Sequence, residues 1–294
     1  MHHIDSSLGR ATRSVAIVTV AVVALTASAA SAQSPLGSAQ SFAVLGASTV
    51  TNTGATVVTG DVGVSPGTAI TGFNPPGVVL AGAIHAGDSL AARAHTDAVI
   101  AYARLAALAC PSINHLSGVL GQGSLTALPA GVYCFDTSAQ LTGTLTLTGA
   151  GPWVFQIGTT LTTASNANVV TIDAAPNCSG SNVFWQLGTS ATLGTGTQFA
   201  GHVLALASIT ATGGVSVHGS LLALAGAVTM DTNQVLVCSA ASAPLPPIMD
   251  KCEADDDRDL DRDKRDHRGK ADDDRHKGGD RNDKDGESKD KKRS

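Results

Sequence analysis

Leu204-Ala-Leu-Ala-Ser-Ile-Thr210 and Leu222-Ala-Leu-Ala-Gly-Ala-Val-Thr229 are two copies of one pattern, offset by 18 residues. Upstream, Val154-Phe-Gln-Ile157 and Val183-Phe-Trp-Gln-Leu187 repeat another, and each runs into Gly-Thr and a threonine-rich stretch. Self-similarity at a short period marks a solenoid, whose coils stack because none can bury its apolar face alone. A coil of that length suits three short sides, hence a roughly triangular cross-section. Thr142-Gly-Thr-Leu-Thr-Leu-Thr148 alternates hydroxyl with leucine, as a half-buried strand does with its threonines outward. Gly, Asn and Ser punctuate the runs, as turns require. A β-sandwich also sets short strands at regular spacing and is the competing architecture.

One segment breaks this pattern. Asp88 is a good N-cap, and Ser89 to about Leu108 is rich in alanine. Ala91, Ala94, Ala98, Ala101, Leu105 and Leu108 recur at alternating steps of three and four, so they share one helical face. A stripe made mostly of alanine lets a helix lie very close to its support, and Pro111 is the stop signal. The expectation is one long helix in an otherwise β protein.

Working outward, residues 1–32 read as a secretory signal peptide. Arg10 and Arg13 precede the apolar run from Ser14 to Thr26, and Ala30-Ser-Ala32 is an A-x-A cleavage site. That run is too short for a membrane span. The mature chain is therefore expected to be secreted and extracellular, either soluble or associated with the cell envelope. Residues 33–243 form the folded domain, 244–249 a stiff Pro-rich linker, and 250–294 a charged tail that should be disordered. The tail holds 15 of the 19 basic and 17 of the 24 acidic residues. Its Asp spacing is calcium-like but lacks the glycine that such a loop needs. It serves solubility, or contact with an envelope or matrix polymer. The domain keeps Arg93 and Arg104 as its only cations once the signal peptide is gone, which argues against nucleic acid as a partner.

Five cysteines in an exported chain imply oxidation. Cys110 with Cys134 and Cys178 with Cys238 are the expected pairs, although four cysteines allow three connectivities. Cys252 is left over, free or in competition for Cys238. No His/Cys cluster has zinc spacing, and no metal or other cofactor is expected.

The chain resembles the ice-binding-like proteins, secreted right-handed β-solenoids with one long helix alongside. The resemblance covers nearly all of residues 35–237. It rests on Leu36-Gly-Ser-Ala39, Phe42-Ala-Val-Leu-Gly-Ala-Ser-Thr-Val-Thr-Asn-Thr-Gly54, Gly60-Asp-Val-Gly-Val-Ser-Pro-Gly67, Ile84-His-Ala86, Pro129-Ala-Gly-Val-Tyr133, Leu141-Thr-Gly-Thr-Leu-Thr-Leu147, Ser190-Ala-Thr-Leu193 and Gly226-Ala-Val-Thr229. It implies a mainly β fold: a right-handed, discontinuous solenoid with a flat face carrying Thr-Ala/Gly-x-Thr/Asn motifs. Thr53-Gly-Ala-Thr56 and Thr163-Ala-Ser-Asn166 fit that motif, while Thr195-Gly-Thr-Gln198 and Thr212-Gly-Gly-Val215 depart at the last position. Thr53, Thr56, Thr163, Asn166, Thr195, Thr197, Thr210 and Thr212 are accordingly the expected ice-contacting residues.

The physical case is that strands about 4.8 Å apart, with alternate residues about 6.7 Å apart, set outward threonines on a grid comparable with oxygen spacings in ice. Threonine is stiff at χ1, so docking costs little side-chain entropy. Its methyl restrains water while its hydroxyl pins it. The expected function is adsorption to ice, slowing crystal growth or recrystallisation. The runner-up is an adhesin or matrix protein using the same face on polysaccharide or a protein partner. Trp153 and Trp185 sit in apolar patterns and read as buried, which weakens a sugar platform.

No catalytic residues are expected. His85, Asp88, His95 and Asp97 gather near the helix start without the spacing of a metal or acid–base site. Asp61 reads as a turn residue, and Asp136, Asp173 and Asp231 are scattered singly, so no carboxylate pair is in view.

Overall fold

Five short strands alternate a buried, an outward and a buried residue, and Gly or Asn in positive-φ backbone recurs at the corners between strands. The computed structural model describes residues 34–172 and 180–237. The segments expected to be signal peptide, linker and tail, together with Asp173, Cys178, Cys238 and Cys252, lie outside the described residues.

The chain first winds seven strands round three faces. β1 (Phe42–Gly46), β4 (Asp61–Val64) and β7 (Ile84–Ala86) lie on the first face. β2 (Thr49–Asn52) and β5 (Ala69–Thr71) lie on the second, and β3 (Val57–Thr59) and β6 (Val78–Leu80) on the third. The helix α1 (Ser89–Ala106) then carries the chain to the far end of the stack. From there the winding resumes with β8 (Val119–Leu120), β9 (Ala127–Phe135), β10 (Ala139–Leu141), β11 (Thr144–Ile157), β12 (Leu161–Thr163) and β13 (Asn168–Thr171). It continues through β14 (Val183–Leu187), β15 (Ala191–Leu193), β16 (Gln198–Ala200), β17 (His202–Ala205), β18 (Ile209–Ala211), β19 (Ser216–His218), β20 (Leu221–Ala223), β21 (Val228–Met230) and β22 (Gln234–Leu236).

All the strand pairs are parallel, and the last coil closes on the first: β20 pairs with β1, β21 with β2, and β22 with β3. The solenoid is therefore discontinuous in sequence and continuous in space. The 18-residue offset is visible as register, because Leu204 pairs with Leu222 and Thr192 with Thr210.

The first face is buried on both sides. Its inward residues Val44, Phe155, Trp185, Val203 and Leu221 join the central core. Its outward residues Leu45, Val154, Phe184, Leu204 and Leu222 pack on α1 through Ala94, Ala98, Ala101 and Leu105. The alanine stripe is fully buried, and Asp88 caps the helix by accepting from the Ala91 amide at 2.9 Å. Eighteen residues make a helix of about 27 Å. The eight strands of this face span about 34 Å at their regular spacing, so one helix covers most of it.

Inside the core, Tyr133, Phe155 and Trp185 stack coil on coil, with Phe155 and Trp185 centroids 4.0 Å apart, and Phe199 tilts against Trp185. The Trp185 indole N–H donates to the Ala200 carbonyl, and that of Trp153 to Leu128. Gly201 (φ +126°) makes room for this, since a Cβ there would meet Trp185 Nε1 at 2.6 Å. Cys110 and Cys134 form a disulfide with a Cα–Cα distance of 6.3 Å, tying the chain after α1 to the first long coil.

Candidate functional site

The second face has a different outward surface. Its strands share one outward register position, and the pairing puts the residues there in a single rank: Thr71, Thr51, Thr229, Thr210, Thr192 and Thr162. Gln140 and then Val119 continue it toward the far end. In β12, β15 and β21 the residues on either side of the threonine point inward, which gives the buried–exposed–buried pattern. Six threonines in register span about 24 Å. The side chains stand upright because β-branching restricts χ1 and the neighbouring coil presents an identical side chain.

Two further columns flank the rank. On the N-terminal side, Ser190 and Ser208 accept from the backbone amides of Ser208 and Ala227 in the next coil, at 3.4 and 3.3 Å. On the C-terminal side, Thr53 and Thr212 extend the ladder, their amides donating to the Met230 and Leu193 carbonyls. The face is electrostatically quiet. Among the described residues, Asp61, Asp88, Arg93, Asp97 and Arg104 belong to the helix side or its end coil, Asp136 stands beside His115 ahead of β10, and Asp231 is the one charge in the flanking Thr53–Thr212 column.

The eight residues expected from the motifs divide into two groups. Thr53, Asn166 and Thr195 are exposed at or near the corner, and Thr210 and Thr212 are partly exposed. Thr195 and Thr212 hydroxyls lie 3.3 Å apart. Thr56, Thr163 and Thr197 instead turn inward, with exposures of 0%, 3% and 0%. Thr163 Oγ1 accepts from the Gly194 amide at 2.8 Å and shares a 2.8 Å hydrogen bond with the Thr197 hydroxyl, which also donates to the Ala164 carbonyl. Thr56 donates to Asn52 Oδ1 at 2.5 Å and accepts from the Asn233 amide at 2.9 Å. These three cannot meet an external surface. They satisfy backbone groups that the tight corners would otherwise leave orphaned.

The reason is register. Counted from the rank, Thr53 and Thr212 stand two residues on, an outward position, whereas Thr163 stands one residue on, an inward one. Similar four-residue strings thus occupy different parities. The motif reading missed Thr51, Thr71, Thr162, Thr192 and Thr229. Their signal is weak but present: an apolar residue followed by Thr, once per coil, as in Leu161-Thr162, Ala191-Thr192, Ile209-Thr210 and Val228-Thr229.

The residues that could suggest catalysis serve local structure. Asp88 takes the Ala91 amide and His85 Nδ1, the latter at 2.7 Å, and these bonds hold its carboxyl below the usual range, the amide contributing most. Asp97 accepts from the Ser38 hydroxyl and amide, which likewise lower its pKa. His95 Nε2 lies 2.8 Å from the Leu224 carbonyl oxygen, away from His85. Cys110, His115 and Cys134 sit close together, but the two sulfurs are joined in the disulfide and are not free to ligate a metal.

Fold and surface together define a class: a discontinuous β-solenoid, braced by one helix, that presents one regular hydroxyl face. The Ice-binding-like family matches residues 44–236. An ice-binding protein of Nostoc sp. (strain HG1) is 55% identical over 208 residues, covering 69% of this chain and 73% of that protein. The crystal structure of an ice-binding protein from the Antarctic ascomycete Antarctomyces psychrotrophicus is similar at 40% identity and a TM-score of 0.63, covering 70% of this chain and 98% of that one. That of an ice-binding protein from an Antarctic biological consortium is similar at 40% identity and a TM-score of 0.62, over 68% and 89%. The chain belongs to the Ice-binding-like family.

Proposed function

We propose that this protein adsorbs to ice through its threonine face and thereby slows crystal growth and recrystallisation. The observation that carries the reading is the rank of six in-register threonines on a surface of low charge. Methyl and hydroxyl groups repeated on a fixed grid hold an ordered water layer, and a rigid backbone means that little freedom is lost when that layer joins a lattice. The reading is a non-enzymatic one. The apolar run and A-x-A site of residues 1–32 support action outside the cell. No helix among the described residues is long and apolar enough to cross a membrane.

The test is ice recrystallisation inhibition by the purified full chain beside Thr192→Tyr. Inhibition at micromolar concentration that the folded variant loses supports both the activity and the face. Absence of inhibition by the folded, oxidised wild-type chain overturns the reading.

A further inference from the structure

Asp231 is a charged side chain in the columns that make up the threonine face. It stands two residues beyond Thr229 of the rank, in the column that carries Thr53 on one side and Thr212 on the other. Its carboxylate lies against the two glycines that follow those threonines. A Cβ on Gly54 would meet Asp231 Oδ1 at 2.7 Å, and one on Gly213 would lie 3.7 Å from Oδ2. The backbone there also differs: the Thr53 and Thr212 amides continue the ladder, whereas the Asp231 amide donates to Asn233 Oδ1 at 2.7 Å. The carboxylate itself accepts from the Thr232 hydroxyl at 2.9 Å, and the residue is exposed.

Resting on the ice-adsorption reading, we propose that Asp231 is the residue that restricts the effective contact surface, by holding its own hydration shell at the margin of the threonine grid. A carboxylate orients first-shell water toward its oxygens and loses that shell only at high cost. Its neighbours Thr53 and Thr212 favour water held on the grid instead. The two water structures meet within one strand spacing, and the charge wins locally because ion hydration outweighs a single hydroxyl's hydrogen bond. Adsorption therefore uses the central rank fully and the Thr53–Thr212 column poorly.

The experiment compares the full chain with Asp231→Asn and Asp136→Asn. Asparagine keeps an acceptor for Thr232 and the same shape, so the corner folds unchanged. Asp136, exposed and 3.5 Å from His115, stands between β9 and β10 and outside the Thr53–Thr212 column, and corrects for the change in net charge. Asp231→Asn is expected to reach the same recrystallisation inhibition at a concentration about threefold lower or better, as relief from desolvating one carboxylate allows. Asp136→Asn should match the wild type. Equal gains in both variants, or no gain at Asp231, overturn the proposal while leaving the adsorption reading intact. A wild-type chain without inhibition, with Asp231→Asn also inactive, overturns both.

Discussion

The second and third faces are built on the same coils with the same spacing, yet only one of them makes a lattice. On the third face the pairing puts Val78, Val57, Gln234, Ser216, Gln198, Asn168 and Thr144 in one column. That column is as well registered as the threonine rank, but its side chains differ in length, shape and polarity. Its surface is dented by two shallow grooves of about 300 and 280 Å³, which share Ser216 and His218. A parallel solenoid gives every face a regular backbone. What sets the threonine face apart is the repetition of one stiff, short side chain.

That contrast can be broken directly. Thr192→Tyr, together with Thr210→Tyr, should raise the concentration needed for recrystallisation inhibition by about tenfold or more, because each ring lifts the flat face from its partner surface. Gln198→Tyr, on the third face, should leave it unchanged. An equal loss from Gln198→Tyr would mean that the faces are not functionally distinct.

The two faces share one core, and damage there should not discriminate between them. Trp185 is fully buried, stacked on Phe155 and in tilted contact with Phe199. Trp185→Ala should cost about 3–5 kcal/mol of stability, measured by denaturant unfolding.

His202 gives a gentler handle. It is buried beside Phe184, 3.1 Å from the Ser220 hydroxyl, and burial pushes its pKa down to about 4. Unfolded, the imidazole titrates near 6.5, so between those values the unfolded chain binds more protons. Stability should fall as pH drops from about 6.5 to about 4, by about 3 kcal/mol in all, and His202→Asn should flatten that slope. The same slope in the variant would assign the effect elsewhere. Thr163→Ala strips an acceptor from the Gly194 amide and a partner from Thr197; it should cost about 1–2 kcal/mol of stability. Recrystallisation inhibition by the fraction that remains folded should not change. The smallest effect is expected of Gln140→Thr, which extends the rank by one position and should improve inhibition by less than about threefold, as one more hydrogen-bonding group suggests.

The architecture was legible because its signals are long and repeated. An 18-residue offset, an alanine stripe and a capped helix start each involve many residues, and no single exception hides them. The helix itself runs Ser89–Ala106, two residues short of the sequence boundary, and the Cys110–Cys134 pair formed as expected. The face was harder to read, because inside and outside differ by one residue of register. Thr162 and Thr163 are adjacent in sequence; one belongs to the exposed rank and the other to the corner's hydrogen bonds. Nor does the sequence show that Thr51 stands beside Thr229, since their coils are the first and the last to be wound.

That closure has a consequence for how the domain comes into being. Thr53 and Met230 are joined although 177 residues separate them, and the same distance separates Thr56 from Asn233. The coil synthesised first is flanked by the coil synthesised last. Contacts so distant along the chain are slow to form, and they cannot form at all until the ribosome has passed Leu236. Until then β1, β2 and β3 have open edges on the side that β20, β21 and β22 will occupy. The closing contacts are thus postponed until the last coil has been made, and until then the first coil offers an unpaired edge to any other strand it meets.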